Sequence, residues 1–174
     1  MAQQARMSIK IRPEEPSEAD AIAALTAAAF REAAHGSQVE HLIVAALREA
    51  GQLAVSLVAE DGGAIVGHVA VSPVSIDDGS TGWYGLGPIS VAPERQRQGI
   101  GSLLMQAALK ELRGLGAAGC VVLGDPGYYG RFGFRAEPAL VLPGVPPEYF
   151  QAIAFGDAVP AGRVAYHQAF DIEG

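Results

Sequence analysis

From Ser8 to Arg12 apolar and polar residues alternate, the period of a half-buried strand, and Pro13 and Pro16 end the run. Ser17-Glu18-Ala19-Asp20 reads as a capping box with Ser17 as N-cap, and Ile22, Leu25, Ala29 and Phe30 follow at helical spacing. Ser37-Gln38-Val39-Glu40 is a second capping box. Leu42, Ile43, Ala46 and Leu47 give the helix behind it an apolar face, and Gly51 marks its stop. A strand over 53–60, a tight turn at Asp61-Gly62-Gly63 and a returning strand over 64–74 predict a hairpin. After a turn over 77–82, Trp83 to Val91 reads as a third strand. A helix over 98–113 ends at Gly114 or Gly116. Cys120 to Leu123 is wholly apolar, as a strand covered on both faces should be. A short helix over 128–132, a strand beginning at Phe134 and a last strand over 163–170 complete the pattern. The proline-rich stretch 138–160 is poorly periodic and is expected to be loops with one short helix near 148–152.

The junction between the third strand and the helix behind it carries the strongest chemical signal. The apolar run ends at Ala92-Pro93, a polar loop follows, and Gly99 and Gly101 open a helix with Ile100, Leu103, Leu104 and Ala107 on one face. Such a loop points several unpaired backbone N–H groups at one place, and the helix dipole adds partial positive charge. Phosphate is the expected anion. A Walker loop needs Gly-Lys, and the chain has none. The dinucleotide fingerprint needs a third glycine where Leu104 stands. The pattern Gln/Arg-x-x-Gly-x-Gly/Ala is met by Gln96-Arg97-Gln98-Gly99-Ile100-Gly101.

That hexapeptide, with Val91-Ala92-Pro93 before it and Ser102-Leu103-Leu104 after it, resembles the acetyl-CoA pyrophosphate loop of the GNAT superfamily of N-acetyltransferases. A second block, Gly124-Asp125-Pro126-Gly127-Tyr128-Tyr129-Gly130-Arg131-Phe132-Gly133-Phe134, is similar to a bacterial subgroup of that family with a Tyr-Tyr-x-Arg-Phe-Gly-Phe ending. The resemblance spans 7–170. It implies one acyl-CoA N-acyltransferase domain over 7–174, with 1–6 as a short tail. The fold it implies is α/β (α+β): a mixed, mostly antiparallel sheet flanked by helices and splayed at the acyl-CoA site.

The same resemblance implies acetyl-CoA as co-substrate and assigns its contacts. Backbone groups of Ile89, Ser90 and Val91 would meet the pantetheine arm, as an added strand would. The segment Gln96, Arg97, Gln98, Gly99, Ile100, Gly101 and Ser102 would hold the pyrophosphate, with Asp125, Tyr129 and Phe132 as further cofactor contacts. Transfer to an amine leaves a thiolate that a phenol can protonate. Tyr129 is the candidate acid and Tyr128 the runner-up, because a one-residue change of helix phase exchanges them. The base is unassigned, since Trp83 to Val91 holds no carboxylate or histidine. His68, on the neighbouring strand, is the candidate, acting directly or through water, and it competes with an ordinary role as a hydrogen-bonded sheet histidine.

Composition narrows the setting. At 174 residues, with 49% apolar and 18% charged, the chain has a globular balance. A net charge of -7 makes nucleic acid a poor partner. The lone cysteine, Cys120, excludes an internal disulfide and reads as a core thiol. The four histidines lack ligand spacing, so no metal is expected. No apolar run approaches the roughly 20 residues that cross a bilayer, and the N-terminal residues lack a signal-peptide core, so no membrane contact and a cytoplasmic setting are expected. The acceptor is expected to be a small-molecule or peptide amine; the resemblance places the first two helices beside it, so Glu32, His35, Glu40 and His41 would attract a cationic amine there, or else form a solvated helix face. A homodimer would use a sheet edge at 163–170. Two alternatives stay open: a longer acyl group or a hydroxyl acceptor, and a non-catalytic acyl-CoA-binding sensor or partner subunit.

Overall fold

The computed structural model describes residues 8–31 and 38–172. The N-cap at Ser37 and the tail over 1–6 lie outside the described residues. A seven-stranded sheet carries the architecture. Its strands in spatial order are β1 (Lys10–Pro13), β2 (Val55–Asp61), β3 (Ala64–Pro73), β5 (Trp83–Val91), β6 (Gly119–Leu123), β9 (Phe150–Ala154) and β7 (Arg135–Ala136). Every neighbouring pair is antiparallel except β5 and β6. A second, three-stranded sheet has β10 (Gly162–Ala165) between β4 (Ser75–Ile76) and β8 (Leu140–Val141).

Three covers protect the large sheet. Helix α3 (Ile100–Gly114) buries Ile100, Leu104, Met105, Ala108, Leu109 and Leu112 against one face of β1, β2, β3 and β5. The helix sits close because Gly67 in β3 has no side chain there; a Cβ would meet Leu104 Cδ1 at 2.9 Å. On the opposite face, helices α1 (Ala19–Phe30) and α2 (Glu40–Glu49) bury Ile22 and Val44 with Val58 and Ala70. The small sheet packs on that same face further along, where Ile76, Leu140 and Val164 join Trp83, Val121, Phe150 and Ala152. Cys120 is fully buried among the strands, as a core thiol.

Four expectations need correction. Ser17 does not cap α1: Pro16–Glu18 is a 3-10 turn, and the Glu18 carboxylate accepts from the Glu15 N–H at 2.7 Å while Arg12 grips it. The short helix expected near 148–152 is a 3-10 turn at Pro147–Tyr149, and from Phe150 the chain is strand β9, paired on both sides. Its first three residues are buried, so no polar alternation betrayed it. The helix expected over 128–132 starts earlier, as α4 (Pro126–Tyr129), because Asp125 caps it and Pro126 suits its first turn; a 3-10 turn follows over Gly130–Phe132. The last strand is only Gly162–Ala165, followed by a 3-10 turn at Gln168–Asp171. Both its flanks are paired, to β4 and β8, so it offers no edge for a dimer.

Leu104 has no exposed surface and sits at the contact of α3 with the sheet. Leu104→Ala is expected to lower stability by about 2–5 kcal/mol, read as a lower urea midpoint at unchanged slope.

Candidate active site

Strands β5 and β6 pair only from Trp83↔Gly119 to Gly85↔Val121. Beyond Gly85 they part. On its other edge β5 stays paired to β3, with a bulge where Gly87 and Pro88 stand opposite Ala70. The Ala92 N–H bonds to Val66 O of β3 at 2.9 Å, and Ser90 stands opposite His68. Backbone groups alternate along a strand, so those of Ile89 and Val91 turn into the gap that β6 leaves.

A cavity of about 400 Å³ opens at one end of this gap, between the start of α3 and Tyr128. Arg97 (φ 65°) and Gly99 (φ 85°) are both left-handed, which curls the loop and gathers its amides. The first N–H groups of α3, at Ile100, Gly101 and Ser102, have no partner within the helix. Arg95, Arg97 and Arg131 also line this cavity, and among the described residues no carboxylate does. Arg95 bonds to Asp61 at 2.9 Å and to Gln98 at 3.0 Å, which ties the loop to the end of β2. Arg131 donates to Ser102 Oγ at 3.1 Å and lies over the Tyr128 ring, 4.9 Å from its centre. The arrangement suits a diphosphate: convergent amides, a helix dipole and guanidinium groups.

A second cavity of about 850 Å³ opens at the other end, between α1 and α2 on one side and the small sheet on the other. Ile89, Pro88 and Tyr129 reach it, so it adjoins the open backbone of β5. Burial, with the nearby Tyr128 and Asp125, raises the Tyr129 phenol to about 12, so it keeps its proton at neutral pH.

Residues 52–136 match the family model described as an acetyltransferase (GNAT) domain. The N-acetyltransferase YhbS of Escherichia coli strain K12 is 35% identical over 92% of this chain and 98% of its own. The chain belongs to the GNAT family of N-acetyltransferases. Among solved structures, a GNAT family acetyltransferase from Brucella melitensis in complex with acetyl-CoA is 52% identical, covers 94% of this chain and 98% of its own, and superposes with a TM-score of 0.84. E. coli YhbS in complex with CoA is 35% identical, covers 96% and 94%, and gives a TM-score of 0.87.

In this GNAT chain the two tyrosines part company. Tyr129 lines the larger cavity, whereas Tyr128 lines the arginine-rich one. A Cβ on Gly101 would come within 3.0 Å of the Tyr128 hydroxyl. Val91, Gln96, Arg97, Gly99, Ile100, Gly101 and Ser102 line the smaller cavity, and Ile89 the larger. Four further candidates line neither. Ser90 is 2% exposed, and Gln98 accepts from Arg95. Asp125 caps α4 by accepting from the Gly127 N–H at 3.0 Å. Phe132 packs edge-on against Tyr128. Arg131 was missed as a contact, although it falls three residues past Tyr128 in a helical stretch; that spacing was a usable signal. Asp171 lines the larger cavity and had no signal in the sequence.

His68 has no exposed surface and lines neither cavity. Ser56 donates its hydroxyl hydrogen to Glu14, so His68 Nε2–H donates to Ser56 Oγ at 2.8 Å, leaving Nδ1 without a partner. Arg48 holds Glu14 through two bonds, at 2.9 and 3.0 Å. Burial works to raise the Glu14 pKa, but His68, whose Nε2 stands 3.7 Å away, and the bonds from Arg48 and Ser56 outweigh it and hold the carboxyl well below its ordinary range. A depressed folded-state pKa stabilises the fold above the unfolded value, about 4.3, and that contribution is lost as pH falls toward the folded value. Glu14→Gln is therefore expected to be less stable than the parent at pH 7. The gap in urea midpoint between them should narrow as pH is lowered through the acid range.

Proposed function

We propose that this GNAT acetyltransferase moves the acetyl group of acetyl-CoA to the primary amine of a small molecule or peptide by direct attack on the thioester. The carrying observation is that one gap joins an arginine-lined nest of amides to a cavity holding Tyr129. A diphosphate in the nest would lead its pantetheine arm along the backbone of Ile89 and Val91 that faces the gap, toward the phenol. The acetyl-CoA complex of the 52%-identical Brucella protein supports this direction.

The neutral amine attacks the carbonyl carbon, a C–N bond forms and the C–S bond breaks. Charge on the carbonyl oxygen is met by a fixed backbone N–H near Val91. The departing thiolate takes the Tyr129 proton, and the surplus proton on nitrogen returns through solvent to the phenolate. Burial of the site favours the neutral thiol as it favours the neutral phenol, which offsets the high phenol pKa. His68 does not touch an amine in the cavity, because it has no exposed surface.

A second reading has one observation of its own. Leu142, Pro143 and Val145, from the stretch 138–160, help to line the large cavity, which leaves space for an acyl chain longer than acetyl. Rates with butyryl-CoA above those with acetyl-CoA would favour it.

Tyr129→Phe is expected to lower kcat by about 10²- to 10⁴-fold with the KM for acetyl-CoA little changed. Full turnover in that variant defeats the assignment. Gly101→Glu places bulk against Tyr128 and a negative charge in the nest. It is expected to abolish acetyl-CoA binding in calorimetry on folded protein, and undiminished binding would remove the nest as the diphosphate site.

A further inference from the structure

Gly124 is the link between Leu123, the last residue of β6, and Asp125, the N-cap of α4. The chain around β9 holds its peptide groups from both sides. The Gly124 N–H donates to Tyr149 O at 2.9 Å, and the Gly124 carbonyl accepts from the Gln151 side-chain amide at 3.1 Å. Asp125 then fixes the turn of α4. Its carboxylate accepts from the Gly127 N–H, and its carbonyl accepts from the N–H groups of Tyr128 and Tyr129. The corner that leads from the sheet to Tyr129 is therefore bonded at each step.

Gln151 stands apart in its strand. It is 1% exposed, between the buried Phe150 and Ala152. Its ladder partners, Val122 in β6 and Ala136 in β7, are both apolar. A buried amide in such surroundings is costly unless it is bonded. The bond it makes goes to the corner, and Gln151 itself lines neither cavity of the site.

Gly124 also meets the Tyr129 ring directly. A Cβ there would lie 2.6 Å from Tyr129 Cε2 and 3.6 Å from Cζ, the carbon that bears the hydroxyl. Bare backbone thus packs against the hydroxyl end of the ring. Tyr128 meets the ring edge-on, with centres 5.0 Å apart, and Phe134 does so at 6.1 Å. Walled in this way, the ring still lines the larger cavity. An acid must stand within hydrogen-bond reach of the atom it protonates. A displacement of about 1 Å can cost about 100-fold in rate. A phenol that leans on backbone keeps its place only while that backbone keeps its own.

We infer that Gln151 is a positioning residue for acetyl transfer: its amide locks the Gly124 peptide, and the locked peptide holds the Tyr129 hydroxyl in place at the gap. This rests on the reading of Tyr129 as the acid and adds to it a residue that touches neither substrate.

The test uses the whole chain in two arms. Gln151→Met keeps the length of the side chain and removes the donor. In the first arm the tyrosine rings are isotope-labelled and no ligand is added. Tyr129→Phe identifies the Tyr129 resonance among those of the five tyrosines. Gln151→Met should shift or broaden that resonance, and a resonance unmoved from the parent position overturns the inference. In the second arm thiol release is followed with acetyl-CoA and the most active of a broad panel of primary amines. Gln151→Met should lower kcat about 10- to 100-fold and leave KM for acetyl-CoA within about twofold. In the Tyr129→Phe background the same substitution should change kcat by less than about twofold, because no phenol proton is left to position. Equal loss of kcat in both backgrounds marks a general loss of structure and overturns the inference, as does an unchanged kcat in the Tyr129 background. Full turnover in Tyr129→Phe is a different failure, that of the acid role itself. Should Gln151→Met not fold, Gly124→Ala takes its place in both arms, because its methyl group presses on the same ring. Binding of acetyl-CoA without thiol release across the panel removes the acetyltransferase reading, and the labelled ring alone then decides whether Gln151 holds Tyr129.

Discussion

The parting of β5 from β6 is the constraint on which the rest of this structure depends. A continuous parallel pair would use every backbone group between them. Here pairing stops at Gly85 and Val121, and Gly87-Pro88 bulge against β3 just where it stops. The backbone groups of Ile89 and Val91 face the gap in the middle of the sheet, where the Gln96 side-chain amide donates to Val91 O at 3.2 Å and β6 supplies nothing. Buried backbone groups without partners are costly. A ligand with peptide-like amides, such as pantetheine, can supply the missing partner.

The covers of the sheet turn that gap into a passage with two different ends. Helix α3 lies on one face and starts beside the gap, so its first amides and the neighbouring arginines give one mouth a positive character. Helices α1 and α2 and the small sheet cover the other face, and the space between them forms the other mouth, walled by hydrocarbon and two carboxylates. Cofactor and acceptor would therefore enter from opposite faces of the sheet and meet at the thioester.

Beside the passage, under α1 and α2, lies a polar network that neither cavity reaches. Arg48, Glu14, Ser56 and His68 link helix α2, the residue after β1, and strands β2 and β3. Glu14 accepts from both neighbours, so its charge is met on each side. The network fixes α2 relative to the sheet, and α2 carries Glu40 and Ile43 to the larger cavity. The histidine that sequence spacing offered as a base is held here as a structural donor.

Local chemistry made several parts of the molecule legible. Gly99 must turn left-handed and Gly101 must leave room beside Tyr128, so that loop announces itself. The periodicity of α3 is equally local, because one face of that helix is wet; the β2–β3 hairpin is marked instead by its Asp61-Gly62-Gly63 turn, since β3 is buried on both faces. Strand β9 was hidden because a strand paired and buried on both sides shows no polar alternation. The edge expected at 163–170 was misjudged because its partners, β4 and β8, are two-residue strands distant in sequence. The sequence by itself determined the phosphate-type loop, the amphipathic helix behind it and the tyrosine pair, since each depends on neighbours along the chain. Only the tertiary structure decided which tyrosine faces which cavity, that His68 is sealed away, and that Glu40 and Asp171 share one wall. Those outcomes depend on how separate elements pack, and packing brings together residues that the chain itself keeps far apart.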